Sequence, residues 1–358
     1  MKKVFYSLIF LLLTALLLAY PRECLQFALN GLNLWFQKMV PTLFPFMILS
    51  GMMIRMNLTD KLMMVFNPFL KPLFCLRPAP LYAIAAGFLC GFPMGARIVA
   101  DLYERRQITK NEANYLLSFV NNIGPVYFIS FALLLLNLTP STVLLFGMYG
   151  IPLCYGLFLR YTFYRDKKAS KLASKRIASN SPEMVYDGRS NFLYRKKILP
   201  GSRKKRLSNV DSERIVSNFS IKASHGSRNN GNSEKPGSIG LLKALDESIS
   251  ASIEGITKLG GYMIFFNLLN IIPYQFLNNG MTQGLLAGIL EITGGLKMLG
   301  NQTPFISLTL LVFGGFSCLA QTYSCIAKTD LSIRNYFIHK IILTALAFGY
   351  YSWYFLKV

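Results

Sequence analysis

Hydrophobic positions in this chain gather into long runs, where a soluble helix or strand would alternate them with polar ones. The runs at 4–20, 26–54, 142–164, 242–272 and 333–355 approach or exceed the length a helix needs to cross a hydrocarbon layer of roughly 30 Å. Pro41 and Pro45 predict a kink in the second of them. The run at 61–76 is short and broken by Pro68, Lys71 and Pro72, which predicts a helix lying at the interface. A Gly-rich amphipathic piece covers 284–300. Together these predict an all-α, polytopic membrane protein.

Three further runs are interrupted. G-F-P-M-G-A-R at 91–97 breaks 81–103, N-N-I-G-P at 121–125 breaks 110–136, and G-G-F-S-C-L-A-Q at 314–321 breaks 304–327. Unpaired backbone groups in hydrocarbon cost several kcal/mol each, so such breaks persist only inside protein or along a polar cavity. P-F-M-I-L (45–49) can be laid on G-Y-M-I-F (261–265), G-F-P-M (91–94) on G-F-S-C (315–318), and N-Y at 114–115 on N-Y at 335–336. This overlay predicts two inverted repeats, each with a re-entrant helical hairpin, whose tips meet near the midplane.

Composition and charge place the pieces. Of 358 residues, 53% are hydrophobic and 15% charged, outside ordinary soluble composition. The first run ends in L-A-Y-P-R-E, a poor signal-cleavage site, which predicts an uncleaved span. Net charge is +22, and residues 165–240 hold 18 Lys and Arg against 6 Asp and Glu. That stretch, rich in Ser, Asn and Gly, is expected to be a disordered cytoplasmic loop. It also offers a grip on anionic membrane lipid. No aromatic interleaving accompanies its basic runs, so nucleic acid is not an expected partner. The predicted organisation is 1–25 first transmembrane helix, 26–164 first repeat with its following span, 165–240 basic loop, and 241–358 second repeat. Both termini are then cytoplasmic.

The breaks carry the candidate chemistry. Pro93 and Pro125 are placed to open half-helices, whose N-terminal ends bear partial positive charge and attract anions. Ser317 is the expected N-cap of the half-helix carrying Gln321. Arg97, one turn past the first break, reads as a cationic contact for an anionic solute or as an ion pair with Asp101 or Glu291. Glu291, in E-I-T-G-G with Thr293, is a candidate for a coupling proton or cation. Asn121 and Asn122 can bind a ligand or cap the broken helix. Phe92 and Phe316 can stack on a planar ligand or pack the tips, and Gly91, Gly95, Gly124 and Gly315 allow close backbone approach. His339 reads as packed or interfacial. The six cysteines read as small hydrophobes. No phosphate-binding loop, paired-His metal motif or nucleophile elbow is present, so neither an enzyme, a cofactor nor a metal is expected.

G-F-P-M-G-A-R-I-V-A-D, I-T-K-N-E-A, S-F-V-N-N-I-G-P and E-I-T-G-G together resemble the YlbJ-type sporulation integral membrane proteins. That family belongs to the nucleoside-recognition or Gate-domain group, which is similar to concentrative nucleoside transporters. The resemblance implies a protein of the outer forespore membrane that moves dipicolinic acid, a small planar aromatic dianion, toward the forespore. Two alternatives stand beside it: a nucleoside-type solute, and a non-transporting membrane scaffold needed for the spore cortex and maturation. Neither oligomeric state nor flux direction follows from the residues.

Overall fold

A computed structural model describes residues 2–164 and 240–357. The basic stretch expected at 165–240 therefore lies almost wholly outside the described residues. Seventeen α-helices and no strand occur among those described. The first half contains α1 (Lys2–Ala19), α2 (Pro21–Leu34), α3 (Val40–Arg55), α4 (Thr59–Phe74), α5 (Pro78–Cys90), α6 (Met94–Glu104), α7 (Lys110–Leu117), α8 (Pro125–Tyr127), α9 (Thr142–Leu145) and α10 (Ile151–Thr162). The second contains α11 (Leu241–Leu268), α12 (Ile271–Phe276), α13 (Gly280–Leu290), α14 (Ile292–Leu299), α15 (Pro304–Phe313), α16 (Gly315–Ile326) and α17 (Ile333–Lys357).

Three segments are long and apolar enough to cross a membrane, at Thr142–Thr162, Leu241–Phe276 and Pro304–Ile326. Two bent pairs add apolar length, with α1 meeting the helix after it at 105° and α4 meeting α5 at 108°. Val4, Phe10, Leu11 and Leu18 on α1 are exposed, as a lipid-facing helix requires. Pro41 and Pro45 do not break their run. A π-turn at Trp35–Met39 precedes them and loosens the backbone where a proline ring would otherwise strike the preceding turn. A second π-turn, Phe146–Gly150, stands in the same relation to Pro152.

Glycine decides where the chain folds back on itself. α5 and α6 form a hairpin whose arms meet at Gly87, where an added Cβ would lie 3.2 Å from the Gly95 Cα. The second hairpin is α13–α14, and the segment carrying G-G-F-S is not its source. Its arms meet at Gly288 and Gly295, so closely that a Cβ on Gly295 would strike the Gly288 backbone, with Gly284 lying under Leu299. Small residues facing one another allow such approach. By contrast α15 and α16, on either side of G-G-F-S, run on as one 23-residue span kinked at Gly314 and Gly315. The expected re-entrant hairpin at 314–321 is thus a broken helix. The overlay slipped because G-F-S-C imitates G-F-P-M in letters, whereas the hairpin tip of the second half is E-I-T-G-G.

Two apolar cores sit beside these pieces, one around α3 to α7 with α11, the other joining π-turn Phe146–Gly150, α15 and α17. Outside the membrane, the turn after α6 and the turn before α17 are clasped together. Asp330 accepts from Lys110 Nζ at 2.8 Å and from the Tyr103 hydroxyl at 2.8 Å. These bonds hold the Asp330 carboxyl below its ordinary range. A carboxyl depressed in the folded state contributes stability above its unfolded pKa and loses it as pH falls through the lower, folded value. Asp330→Asn is therefore expected to lower Tm slightly at neutral pH and low salt, and not at all below the carboxylate range or in high salt, when followed by thermal unfolding.

Candidate functional site

The breaks converge. Gly91, at φ +83°, lies against Gly124, where a Cβ would approach the Gly124 Cα to 2.6 Å, so the tip of α5–α6 is seated on the N-N-I-G-P break. On the other side, a Cβ on Gly315 would lie 3.1 to 3.3 Å from the carbonyl oxygens of Gly288, Ile289 and Leu290, seating the α15–α16 break on the α13–α14 hairpin. Contacts then cross between halves. A Cβ on Gly314 would touch the Phe92 ring at 2.9 Å, and the Tyr127 hydroxyl shares a 2.8 Å hydrogen bond with the Thr293 hydroxyl.

Between the two tips lies a cavity of about 340 Å³. Of the candidate residues marked in the sequence, Phe92, Gly124, Glu291, Thr293 and Gln321 line it. Tyr127, Ser130, Thr42 and Lys38 line it too, and sequence reasoning missed all four. Phe316 is absent from the wall.

The other expected residues stand elsewhere. Arg97 faces a second cavity of about 250 Å³, where Nη2 donates to the Ala251 carbonyl at 2.7 Å and Nε lies 3.9 Å from Asp101. These contacts match the ion-pair alternative with Asp101, and Arg97 does not line the central cavity. Pro93 also borders this second cavity and is the N-cap of α6, with Met94 the first helical residue. Asn121 and Asn122 are buried structural members. Asn121 accepts from the Ala96 N–H at 3.3 Å and donates to the Thr322 hydroxyl at 2.8 Å and to Tyr336 at 3.2 Å, while Asn122 donates to the Phe119 carbonyl at 2.6 Å. Gly95 presses on the Val120 carbonyl, where a Cβ would come within 2.8 Å. Ser317 caps nothing: Gly314 is the N-cap of α16, and the Ser317 hydroxyl accepts from Gln321 Nε2 at 2.9 Å. His339 is packed, with Nδ1 2.6 Å from the Tyr155 hydroxyl.

Glu291 is 2% exposed and caps its own helix. Its carboxylate accepts from the Thr293 N–H at 3.1 Å and the Gly294 N–H at 2.8 Å. The positively polarised end of α14 is thereby occupied by the protein itself, and the Ala96 N–H of α6 is likewise taken by Asn121. Among the described residues no basic side chain pairs with Glu291.

The deepest cation is one the sequence reading passed over. Lys340, 3% exposed and about two turns into α17, donates to the Asn121 carbonyl at 2.9 Å, lies 3.5 Å from Asn122 Oδ1, and sits 4.5 Å above the Phe92 ring centre. A single lysine inside an apolar span was the available signal, by the same cost argument that singled out Arg97.

No protein-family model and no solved structure matches the chain. It is 25% identical over 362 residues, covering 93% of this chain and 78% of the other, to the sporulation integral membrane protein YlbJ of Bacillus subtilis (strain 168). The resemblance read from the break motifs thus extends over nearly the whole sequence, as a likeness to that relative.

Proposed function

We propose that the protein is a sporulation membrane transporter whose central cavity binds a small, planar aromatic anion, dipicolinic acid, and passes it from mother cell toward forespore across the outer forespore membrane. The observation that carries this reading is the cavity itself, which is lined by residues from the non-helical elbows of both halves of the chain. Its walls are largely apolar, with hydroxyls at Tyr127, Thr293, Ser130 and Thr42, the composition expected where an aromatic ring is held and a few polar groups orient it. The name of the Bacillus subtilis relative supports a role in sporulation and in a membrane. In this reading the two halves are inverted repeats in which α5–α6 corresponds to α13–α14 and the α7–α8 break to the α15–α16 break, followed by α9–α10 and α17 respectively. Alternating access then moves the elbows of one repeat against those of the other, as in concentrative nucleoside transporters.

Lys38, exposed at the cavity wall, takes the place first given to Arg97 as the cation that meets the solute. Uptake of labelled dipicolinate into liposomes holding the purified protein tests this. Lys38→Gln is expected to raise KM about tenfold, the loss of one charge-assisted contact. Arg97→Gln is expected to change it less than about threefold, since that side chain is turned to α11. Absence of dipicolinate uptake by folded protein would refute the assignment.

One observation favours a second reading. Glu291 places a carboxylate in the cavity and Arg97 lies outside it, which suits an uncharged, nucleoside-type guest. Labelled uridine, run beside dipicolinate in the same liposomes, decides between them.

A further inference from the structure

The geometry points to a binding site for one monovalent alkali cation at the tip of α13–α14, formed by the Glu291 carboxylate with the side-chain oxygens of Asn267 and Asn270. Glu291 is buried, and each carboxylate oxygen accepts a single backbone N–H, so lone pairs remain with no basic partner among the described residues. Asn270 supplies an independent observation. It is 0% exposed, and neither its side-chain oxygen nor its nitrogen has a hydrogen-bond partner. A buried amide without partners costs free energy unless something fills its coordination. That amide fills the space where a Cβ on Gly294 would stand, beside the Gly294 N–H that Glu291 accepts. Turning it over exchanges oxygen and nitrogen with no bond lost, because neither atom has one.

Asn267, from the last turn of α11, completes the set. Its Nδ2 donates to the Met263 carbonyl at 2.9 Å, and its Oδ1 faces the same Gly294, 3.6 Å from the Cβ position. A pocket of about 100 Å³, lined by Asn267, Thr293 and Gly294 with Lys297 exposed at its edge, borders this cluster.

The donor set is all oxygen, with one formal negative charge. Hard oxygen donors select alkali and alkaline-earth ions over transition metals; calcium takes about six to eight oxygens and magnesium keeps several waters in a near-ideal octahedron, whereas this buried set offers few oxygens and one charge. A monovalent cation balances this site. Its presence would neutralise the carboxylate that the dipicolinate reading leaves facing an anion, so the inference deepens that reading, although the site itself needs no solute.

Thermal unfolding of the full chain in detergent tests it without any transport measurement. At constant ionic strength in choline, sodium or potassium chloride, one alkali salt is expected to raise Tm by about 3 °C over choline, saturating near 10 mM. Asn270→Ala and Glu291→Gln should each abolish the shift, and if the second fails to fold the first decides. Equal Tm values in all three salts, or a shift that survives Asn270→Ala, would overturn the site. Uptake can fail while the shift persists, or persist while the shift is absent, so the two proposals fall separately.

Discussion

Lys340→Met is expected to lower Tm by about 4 °C and to cut solute uptake at least tenfold, the largest effect of any single side chain away from the cavity wall. The ammonium on α17 reaches the carbonyl of Asn121, in the N-N-I-G-P break of the other half, and lies over the Phe92 ring at the hairpin tip. Methionine keeps the bulk and removes the donor. It leaves a buried carbonyl without a partner, at about 1–3 kcal/mol, and removes a cation–π contact worth about 1–2 kcal/mol when desolvated. Phe92 forms part of the cavity wall, so its release reaches the solute as well as the fold. Thermal unfolding and liposome uptake, measured on the same preparation, check both parts. An unchanged Tm would show that the break is held by other bonds.

Gly91→Ala should be worse for folding, with a loss of at least about 3 kcal/mol. The residue sits at φ +83°, where a side chain is strained, and its Cβ would be driven into the Gly124 backbone. Backbone cannot step aside as a side-chain end can, so the hairpin tip must lift off the break beneath it. Gly261→Ala is the matched control. Nothing lies within 4 Å of a Cβ there, and it is an exposed position inside a helix, so alanine is expected to be neutral or to stabilise by up to about 1 kcal/mol. Detergent-solubilised yield and Tm of the two variants make the comparison.

These residues also mark how far the chain could be read before it was folded. Helix class and the breaks at 91–97, 121–125 and 314–321 were legible, because Gly and Pro act through local backbone geometry. Phe92 and Gln321, which share a cavity, were singled out from those breaks, whereas Glu291 and Thr293 were singled out from the amphipathic piece at 284–300. What escaped was the pairing of elements. A hairpin and a kinked span differ in whether small residues face one another across the fold, as Gly288 and Gly295 do, and that relation joins positions by packing. The orientation of Arg97 escaped for a similar reason. A guanidinium one turn past a break can swing to either side, and the Ala251 carbonyl that captures it lies 154 residues away. Asn121 and Asn122 were read as ligand groups or as caps of the broken helix, and in the fold their side chains are engaged by buried neighbours that lie far off in sequence or in the preceding turn.

Leu259 and Gln321 border both the central cavity and the charged one beside Arg97. Each therefore shows one face to a largely apolar chamber and another to one lined by Arg97, Asp101 and Lys258. Turning the side chain of residue 321 away from that shared wall would break the hydrogen bond its amide gives to Ser317, so its rotamer is held in place.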